Sequence, residues 1–435
     1  MKLINTPAGT IHAIEDENTI KACGIPYARA KRFKAPYPVR LDAFEQPYTA
    51  DRPAPAAPQK LRGTQADIRQ STLISEDCQN LSVLAPATIK DPKKPVMVYL
   101  HGGSYVVGSG DGKRYNAHKL VTEQNLIVVT VTYRLGILGF LGGTPQRPAN
   151  LGLLDVREAL RWVKENISAF GGDPNNITVF GQSAGADLAT QLMITENVIE
   201  EGLLHRVIAQ SAPLDMVNHK EKMPAAMLKK IAHIPEDAPA ETYAELSWKM
   251  ISLNPLKFGL YPSMMPFGTQ YGYYPLPSPE HVEQAWKKAA PHVQVLLGNN
   301  EREAAYFTPA TQYLTSISNS RPLEKIIKKT TYDIYEKPAK TFAQRHQQAG
   351  GKATRYTLKV GHPLHRLRSS HGAELSLLFD NPAWENSKML AGMHHYERTQ
   401  QGKALRTIWA EFARTGTIRA ELKDLAQIQF FFKEK

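Results

Sequence analysis

The stretch NLGLLDVREALRWVKENISAFGGDPNNITVFGQSAG, residues 150–185, decides the fold of this chain. In its first half apolar residues recur every three or four positions, at Leu153, Val156, Leu160, Val163 and Ile167. This spacing predicts an amphipathic helix over 153–170 that begins at Asn150 and ends at Gly171. The apolar run ITVFG (177–181) then predicts a strand, which a glycine-rich turn connects to another helical stretch.

The same alternation of short apolar runs and amphipathic segments extends to both sides of this stretch. Further strands are predicted at 95–100, 126–133, 293–298 and 354–360, and a further helix at 402–416. Continuous apolar strands separated by helices are typical of a parallel sheet covered on both faces. Right-handed crossovers would then produce an open, doubly wound α/β fold with a mostly parallel central sheet.

The remaining segments indicate additions to this sheet. Residues 1–50 alternate between apolar and polar and predict an antiparallel N-terminal subsheet, followed by a proline-rich connector at 51–60. Residues 213–290 hold many Pro, Met and Tyr residues without strong periodicity, and we interpret them as an insertion that forms a lid or pocket wall. We expect one domain over 1–435, although chains of this length often divide into two.

Composition limits the classes of partner. The net charge is +12, from 53 basic and 41 acidic residues, but the basic residues are scattered and no nucleic-acid motif is present, so no nucleic-acid partner is expected. No run of eighteen apolar residues and no signal peptide occur, which predicts no membrane association and a cytoplasmic protein. The two cysteines suit a reducing compartment. Whether the chain forms a homo-oligomer stays open.

Ser183 is the candidate nucleophile. It stands in Gly181-x-Ser183-x-Gly185 between a predicted strand and a predicted helix, the context of a nucleophile elbow. Gly181 and Gly185 would let the helix pass close to the strand. The alternative is a serine that merely packs in a glycine-rich turn.

A hydrolytic site also needs an oxyanion hole, an acid and a base. In HGGSYVVGS (101–109), Gly102 and Gly103 follow a strand end, and their N–H groups with that of Ala184 could bind an oxyanion. The acid candidates follow the strand at 293–298 and the base candidates follow the strand at 354–360. Spacing alone does not choose among them: Glu301 and Glu303 for the acid, and His362, His365 and His371 for the base.

Several stretches resemble the type-B carboxylesterase/cholinesterase family of α/β-hydrolases, from near the N-terminus to about residue 416. They are GIPYA (24–28), SEDCQNLSVL (75–84), HGGSYVVGS (101–109), VTYRLGILGFL (131–141), the opening stretch (150–185), GNNEREAAYF (298–307), HGAELSLLF (371–379) and IWAEFARTG (408–416). The resemblance implies the α/β-hydrolase fold and a serine carboxylesterase that acts on small-molecule esters, with short-chain or aryl esters expected and without a metal or cofactor.

The resemblance also assigns the acid and the base. It places the acid at Glu303 and the base at His371, at the start of HGAEL, so that Glu301 and His362 become neighbours of the triad. His371 would take the proton of Ser183 and Glu303 would orient His371, which is acyl transfer through an acyl-serine.

Structural roles follow from the same resemblance. Two ion pairs are expected, Arg32 with Glu76 and Arg134 with Asp173, and Ser211 would help to hold the acid.

The sequence departs from the family at other positions. Ala57 stands where secreted relatives place the partner of the EDC cysteine, so Cys78 is expected to be a free buried thiol. Asp187 stands where a small residue is more usual, and the sequence alone explains no role for it. The shortened segments at 213–290 and 307–371 prevent any transfer of substrate specificity.

Alternative functions remain at this point. The family includes catalytically silent adhesion-type relatives, and a lipase or amidase would use the same triad. Two other motifs are weak: GSGDGKR (108–114) lacks the ending of a phosphate-binding loop, and the paired histidines of MHHYE (393–397) do not share a helix face as metal ligands would.

Overall fold

The structure is a computed structural model. It describes residues 1–61, 73–88, 93–214, 216, 222–251, 255–308, 321–362, 364–385, 387–390, 392–422 and 428–432. Parts of the predicted insertion at 213–290 therefore lie outside the described residues.

Twelve of the described strands form one sheet, in the order β1-β2-β3-β7-β9-β8-β10-β11-β12-β13-β14 with β6 beside β2, and β4 pairs with β5 separately. The strands are β1 Lys2–Thr6, β2 Gly9–Glu15, β3 Thr19–Pro26, β4 Ala28–Arg29, β5 Tyr37–Pro38, β6 Tyr48–Ala50, β7 Asn80–Pro86, β8 Lys94–Leu100, β9 Ile127–Thr132, β10 Gly172–Gln182, β11 Arg206–Gln210, β12 Gln294–Asn300, β13 Lys352–Leu358 and β14 Ile428–Phe431.

Helices connect the strands and cover both faces of the sheet. They are α1 His118–Gln124, α2 Gly136–Phe140, α3 Leu151–Asn166, α4 Ala184–Gln191, α5 Lys222–Ile231, α6 Ala240–Met250, α7 Pro255–Phe258, α8 Leu260–Met264, α9 Val282–Ala289, α10 Arg321–Thr331, α11 Lys337–Gln348, α12 Leu375–Leu378 and α13 His395–Thr415.

The predicted fold class is confirmed. Strands β9, β8, β10, β11, β12 and β13 are parallel neighbours, whereas β1, β2, β3 and β7 pair antiparallel at the N-terminal end of the same sheet. Successive residues of a strand point to opposite faces. On β8, accordingly, Val98 and Leu100 join the hydrophobic core under α3, while Met97 and Tyr99 join the core under α13.

Some strands and helices of the structure were not predicted from the sequence. Strand β11 was missed because Arg206 and Gln210 bound an apolar run of only three residues. Helices α5, α6 and α9 lie in the segment read as aperiodic. In α5 the buried residues are Met223, Met227 and Ile231, which do share one face, but prolines and tyrosines around the helices obscure that spacing.

Asn150 acts differently from the predicted helix start. It adopts a left-handed conformation with φ 62° before α3, and its side chain makes no helix cap. Its amide instead donates to the carbonyl oxygens of Gln270 and Tyr273 and accepts from the Gln270 N–H at 2.7 Å. Asn150 therefore ties the segment around 270 to the first turn of α3.

Of the two expected ion pairs, one is confirmed and one is wrong. Arg32 pairs with Glu76. Arg134 pairs with Asp155 on α3, with Nη2–Oδ1 at 2.7 Å and Nε–Oδ2 at 2.8 Å, and both side chains are buried. Asp173 accepts a hydrogen bond from the N–H of Asn175. The reason is burial, since a buried guanidinium needs a partner that is also enclosed, and Asp155 lies on the inner face of α3.

Replacing Asp155 by alanine should lower the free energy of unfolding by about 3–5 kcal/mol, because it leaves the Arg134 guanidinium buried without its carboxylate. Urea denaturation of the purified variant measures this change. Asp173→Ala is the matched control and should change the free energy by no more than about 0.5 kcal/mol. A larger loss in the Asp173 variant would instead support the ion pair between Arg134 and Asp173 that the resemblance implied.

Both cysteines are buried free thiols, as expected for Cys78. Burial raises the pKa of the Cys23 thiol to about 11 and moves the pKa of Cys78 higher still. Within the part of the chain that the structure describes, no helix combines the length and the apolar character needed to cross a bilayer.

Candidate active site

Strand β10 ends in a sharp turn at Ser183, and α4 begins at the next residue. Ser183 has φ 57°, a conformation that costs energy for a side chain other than glycine. Its N–H donates to the Gln210 carbonyl oxygen of β11 at 2.9 Å. A Cβ at Gly185 would lie 2.1 Å from the Leu100 carbonyl oxygen, and a Cβ at Gly181 would lie 2.5 Å from Gly185. Both glycines are thus required for the close passage of strand and helix, and the turn has the form of a nucleophile elbow.

The structure brings Glu303 and His371 together. Glu303 follows β12, and its Oε2 lies 2.6 Å from His371 Nδ1. Its Oε1 accepts from Ser211 Oγ and from the Asn300 N–H, both at 2.5 Å. Glu303 is fully enclosed, so these hydrogen bonds compensate for the desolvation of its carboxylate. Ser211 thus contacts the acid, as the sequence resemblance implied.

His371 faces Gln182 with its other ring nitrogen. Nε2 lies 3.1 Å from the Gln182 side-chain nitrogen. Because the carboxylate of Glu303 can only accept from Nδ1–H, Nε2 of the neutral ring carries a lone pair and accepts from the Gln182 amide. Among the contacts of the described residues, Ser183 Oγ makes no hydrogen bond to His371. Hydrogen bonds of catalytic residues are often long in unliganded structures and shorten when substrate is bound.

The loop after β8 passes directly over the elbow. A Cβ on Gly102 would lie 2.6 Å from the Gln182 carbonyl oxygen and 3.2 Å from Ser183 Cβ. Gly103 has φ 121°, and its carbonyl oxygen accepts from the N–H groups of Val106 and Val107. Gly102 and Gly103 therefore lie close to Ser183, and the Gly102 position leaves no room for a side chain.

A donor next to these glycines was missed by the sequence interpretation. Within the described chain, the N–H groups of Gly103 and Ser104 have no hydrogen-bond partner, and the N–H of Ala184 is the first of α4 and so has none within the helix. Ser104 has φ 54° and Tyr105 has φ 63°, two left-handed residues in succession. The sequence carries no signal for these conformations beyond the glycines before them.

His101 fixes the start of this loop. Its ring stacks on Tyr133 with centroids 4.5 Å apart, and its Nδ1 donates to the Gly102 carbonyl oxygen at 2.9 Å. Burial lowers the pKa of His101 to about 4, so the ring stays neutral at physiological pH. The Tyr133 hydroxyl donates to the His101 carbonyl oxygen at 2.7 Å.

A second buried carboxylate lies behind Glu303. Glu374 is 1 % exposed, pairs with the side-chain amide of Asn300 and lies 3.5 Å from that of Gln210. Burial first, and the charge of Glu303 second, raise the pKa of Glu374 to about 7. Glu374 is a charged residue within the largely apolar stretch HGAELSLLF (371–379), and that contrast is a signal visible in the sequence. Its proximity to Glu303, however, arises only from the fold.

The rejected acid and base candidates lie outside this cluster. Glu301 is half-exposed and lies 3.6 Å from Lys359 Nζ. His362 and His365 accept hydrogen bonds from backbone N–H groups two residues further along the chain, through Nδ1 in each case.

Two cavities in the structure are large enough for a small ligand. One of about 310 Å³ is lined by residues that include Leu214, Tyr271, Trp286, Phe342 and Arg345. Leu214 follows Ser211 by three residues, and α11, which carries Phe342, continues from Tyr335, whose ring centre lies 5.3 Å from that of His371. The other, of about 340 Å³, is lined by Asp111 and its neighbours. None of the candidate site residues lines either cavity. Across the described residues, no group of three or more His, Cys, Asp or Glu side chains could hold a metal ion.

Comparisons with known proteins identify the family of this chain. Residues 2–332 match the model of the carboxylesterase family. A probable N-octanoylanthranilate hydrolase of Rhodococcus erythropolis is 32% identical and aligns with 91% of this chain and 89% of its own. The para-nitrobenzyl esterase of Bacillus subtilis (strain 168) is 29% identical over 97% of this chain and 91% of its own. A solved structure of a PNB esterase superposes with a TM-score of 0.76 at 27% identity, covering 97% of this chain and 92% of that one. The chain therefore belongs to the carboxylesterase family and is an α/β-hydrolase-fold enzyme that hydrolyses carboxylic esters.

Proposed function

We propose that the chain is a serine carboxylesterase that acts through an acyl-serine intermediate, with Ser183, His371 and Glu303 as its triad. The observation that carries this proposal is the hydrogen-bonded series from Ser211 through Glu303 to His371, which lies beside the strained turn at Ser183.

The roles follow from the chemistry of each group. His371 Nε2 leaves Gln182 and accepts the proton of Ser183 Oγ as that oxygen attacks the ester carbonyl carbon. Glu303 keeps the proton on Nδ1 and stabilises the imidazolium that forms. The protonated His371 then donates its proton to the leaving alkoxide oxygen. In the second half of the cycle His371 takes a proton from water as the water oxygen attacks the acyl carbon. The bond between that carbon and Ser183 Oγ then breaks, His371 returns the proton to Oγ, and the acid is released.

Backbone N–H groups would stabilise the tetrahedral oxyanion. The candidates are Gly102, Gly103 and Ala184, to which the unpaired N–H of Ser104 is added. Such donors contribute most when they are already in place before the charge develops. No metal or cofactor is required in this scheme.

We propose short-chain or aryl esters as substrates. This is supported by the aromatic rings of Phe307 and Tyr335, whose centres lie 5.0 Å and 5.3 Å from that of His371. We also propose that 213–290 is an insertion within a single domain over 1–435, since its Tyr271 and Trp286 line one cavity together with Phe342 of α11. A cytoplasmic location is proposed on the two buried free thiols.

Intact mass after exposure to a reactive organophosphate tests the nucleophile. We expect one adduct per chain, located on Ser183 by peptide mapping, with turnover of p-nitrophenyl acetate lost in proportion. Ser183→Ala is the control and should take no adduct. An unmodified wild-type protein without turnover would rule out the proposed function.

A further inference from the structure

A buried carboxylate lies one helical turn beyond Ser183, and the steps assigned above do not use it. Asp187 is fully enclosed on α4, and its Oδ2 accepts the Tyr105 hydroxyl at 2.6 Å. Burying a carboxylate costs free energy unless it accepts hydrogen bonds. Moving the Tyr105 hydroxyl away from Asp187 would incur that cost, so the contact holds Tyr105 in place.

Asp187 is also connected to the elbow through the backbone. The N–H groups of Ala186 and Asp187 both donate to the Ser183 carbonyl oxygen at 3.0 Å. The same residue thus contacts Ser183 through its main chain and the loop after β8 through its side chain.

Tyr105 is the last residue of the strained part of that loop. It follows Gly103 and Ser104 directly, has φ 63° itself and is 1 % exposed. Its carbonyl oxygen accepts from the Gly136 N–H at 2.6 Å, and its ring packs on Phe140 with centroids 4.5 Å apart. Burial first, and the charge of Asp187 second, raise the pKa of Tyr105 well above its usual value, so its hydroxyl stays protonated and remains a donor.

From these contacts we infer that Asp187 and Tyr105 are positioning residues. They hold the N–H groups of Gly103 and Ser104 where these groups can donate hydrogen bonds to the oxyanion that forms at Ser183. Two left-handed residues other than glycine persist only where their surroundings impose that conformation. The Tyr105–Asp187 hydrogen bond joins these residues to the helix that begins at the nucleophile. This inference rests on the proposed function, since it presupposes that Ser183 is acylated.

The expected effect is on the transition state and not on substrate binding. An oxyanion donor displaced by a fraction of an ångström stabilises the developing charge less, while the ground-state ester makes little use of it. Tyr105→Phe removes one oxygen atom and leaves the ring packing on Phe140 in place.

The test compares steady-state kinetics with p-nitrophenyl acetate and the affinity for a trifluoromethyl ketone, which forms a tetrahedral oxyanion with a reactive serine. For Tyr105→Phe we expect kcat to fall by about ten- to a hundredfold, with KM within about twofold, and the ketone affinity to fall in parallel. Asp187→Ala should behave likewise. Asp187→Asn keeps an oxygen acceptor for Tyr105 and should recover most of kcat.

Tyr27→Phe is the matched control. It removes a buried tyrosine hydroxyl that donates to the Thr132 carbonyl oxygen at 2.9 Å, outside the candidate site, and should change melting temperature without changing kcat. If Asp187→Ala does not fold, Tyr105→Phe decides the matter alone, because it alters one atom.

The outcomes separate the two proposals. Kinetic constants and ketone affinity of Tyr105→Phe that stay within twofold of wild type, with Ser183 still modified by organophosphate, would overturn the positioning role alone. An unmodified Ser183 in the wild-type protein would overturn the proposed function and this inference with it.

Discussion

Ser183→Ala is expected to lower kcat for p-nitrophenyl acetate by about 10⁴- to 10⁶-fold, because no other group can form the acyl intermediate. Alanine has the same backbone preferences as serine here and removes only the Oγ atom. Because the substitution removes a single hydroxyl at a position that is 9 % exposed, the melting temperature of the variant should stay within a few degrees of wild type. Discontinuous assays that detect the p-nitrophenol product measure kcat, and thermal unfolding measures the melting temperature.

Residual turnover needs a control for contaminating esterases. Ser168→Ala, purified in the same way, alters an exposed serine away from the site and should retain wild-type kcat. If Ser183→Ala kept more than about one per cent of wild-type activity, the elbow would be a packing feature and another residue would be the nucleophile.

Glu303→Gln is expected to lower kcat by about 10³- to 10⁴-fold. The glutamine side chain can still accept from Ser211 and from the Asn300 N–H through its oxygen. Its amide group, however, donates to His371 Nδ1 instead of accepting from it, which places the ring proton on Nε2 and removes the base. Kinetic constants at several pH values and circular dichroism distinguish this loss from misfolding.

Glu301→Gln is the matched control, two residues away and half-exposed beside Lys359. Its kcat should remain within about twofold of wild type, because charges on the surface are screened by solvent. Were the Glu301 variant inactive and the Glu303 variant active, the assignment of the acid would be reversed.

The central sheet could be predicted because buried parallel strands leave continuous apolar runs. The runs at 95–100 and 177–181 correspond to β8 and β10, and the spacing of Leu153 to Ile167 corresponds to α3 and the turn after it. The spacing of residues could not choose Glu303 over Glu301, and that choice came from family resemblance. In the fold Glu303 is enclosed and meets His371, whereas Glu301 faces solvent.

Features that depend on three-dimensional enclosure could not be predicted. Two aspartates, Asp155 and Asp173, follow Arg134 within forty residues, and only the fold shows that Asp155 is enclosed with it. The proximity of Glu374 to Glu303, and of Tyr105 to Asp187, joins segments more than seventy residues apart. Left-handed backbone at Ser104 and Tyr105 is imposed by such contacts, so residue type alone gives no indication of it.

The two enclosed cysteines have a practical consequence for labelling experiments. A maleimide reacts with a thiolate that it can reach, and both Cys23 and Cys78 are buried, with pKa values raised by that burial. A single cysteine introduced on an exposed position of 213–290 would therefore be the fast-reacting thiol of the folded protein. A fluorophore or spin label could therefore be placed there without first removing either native cysteine.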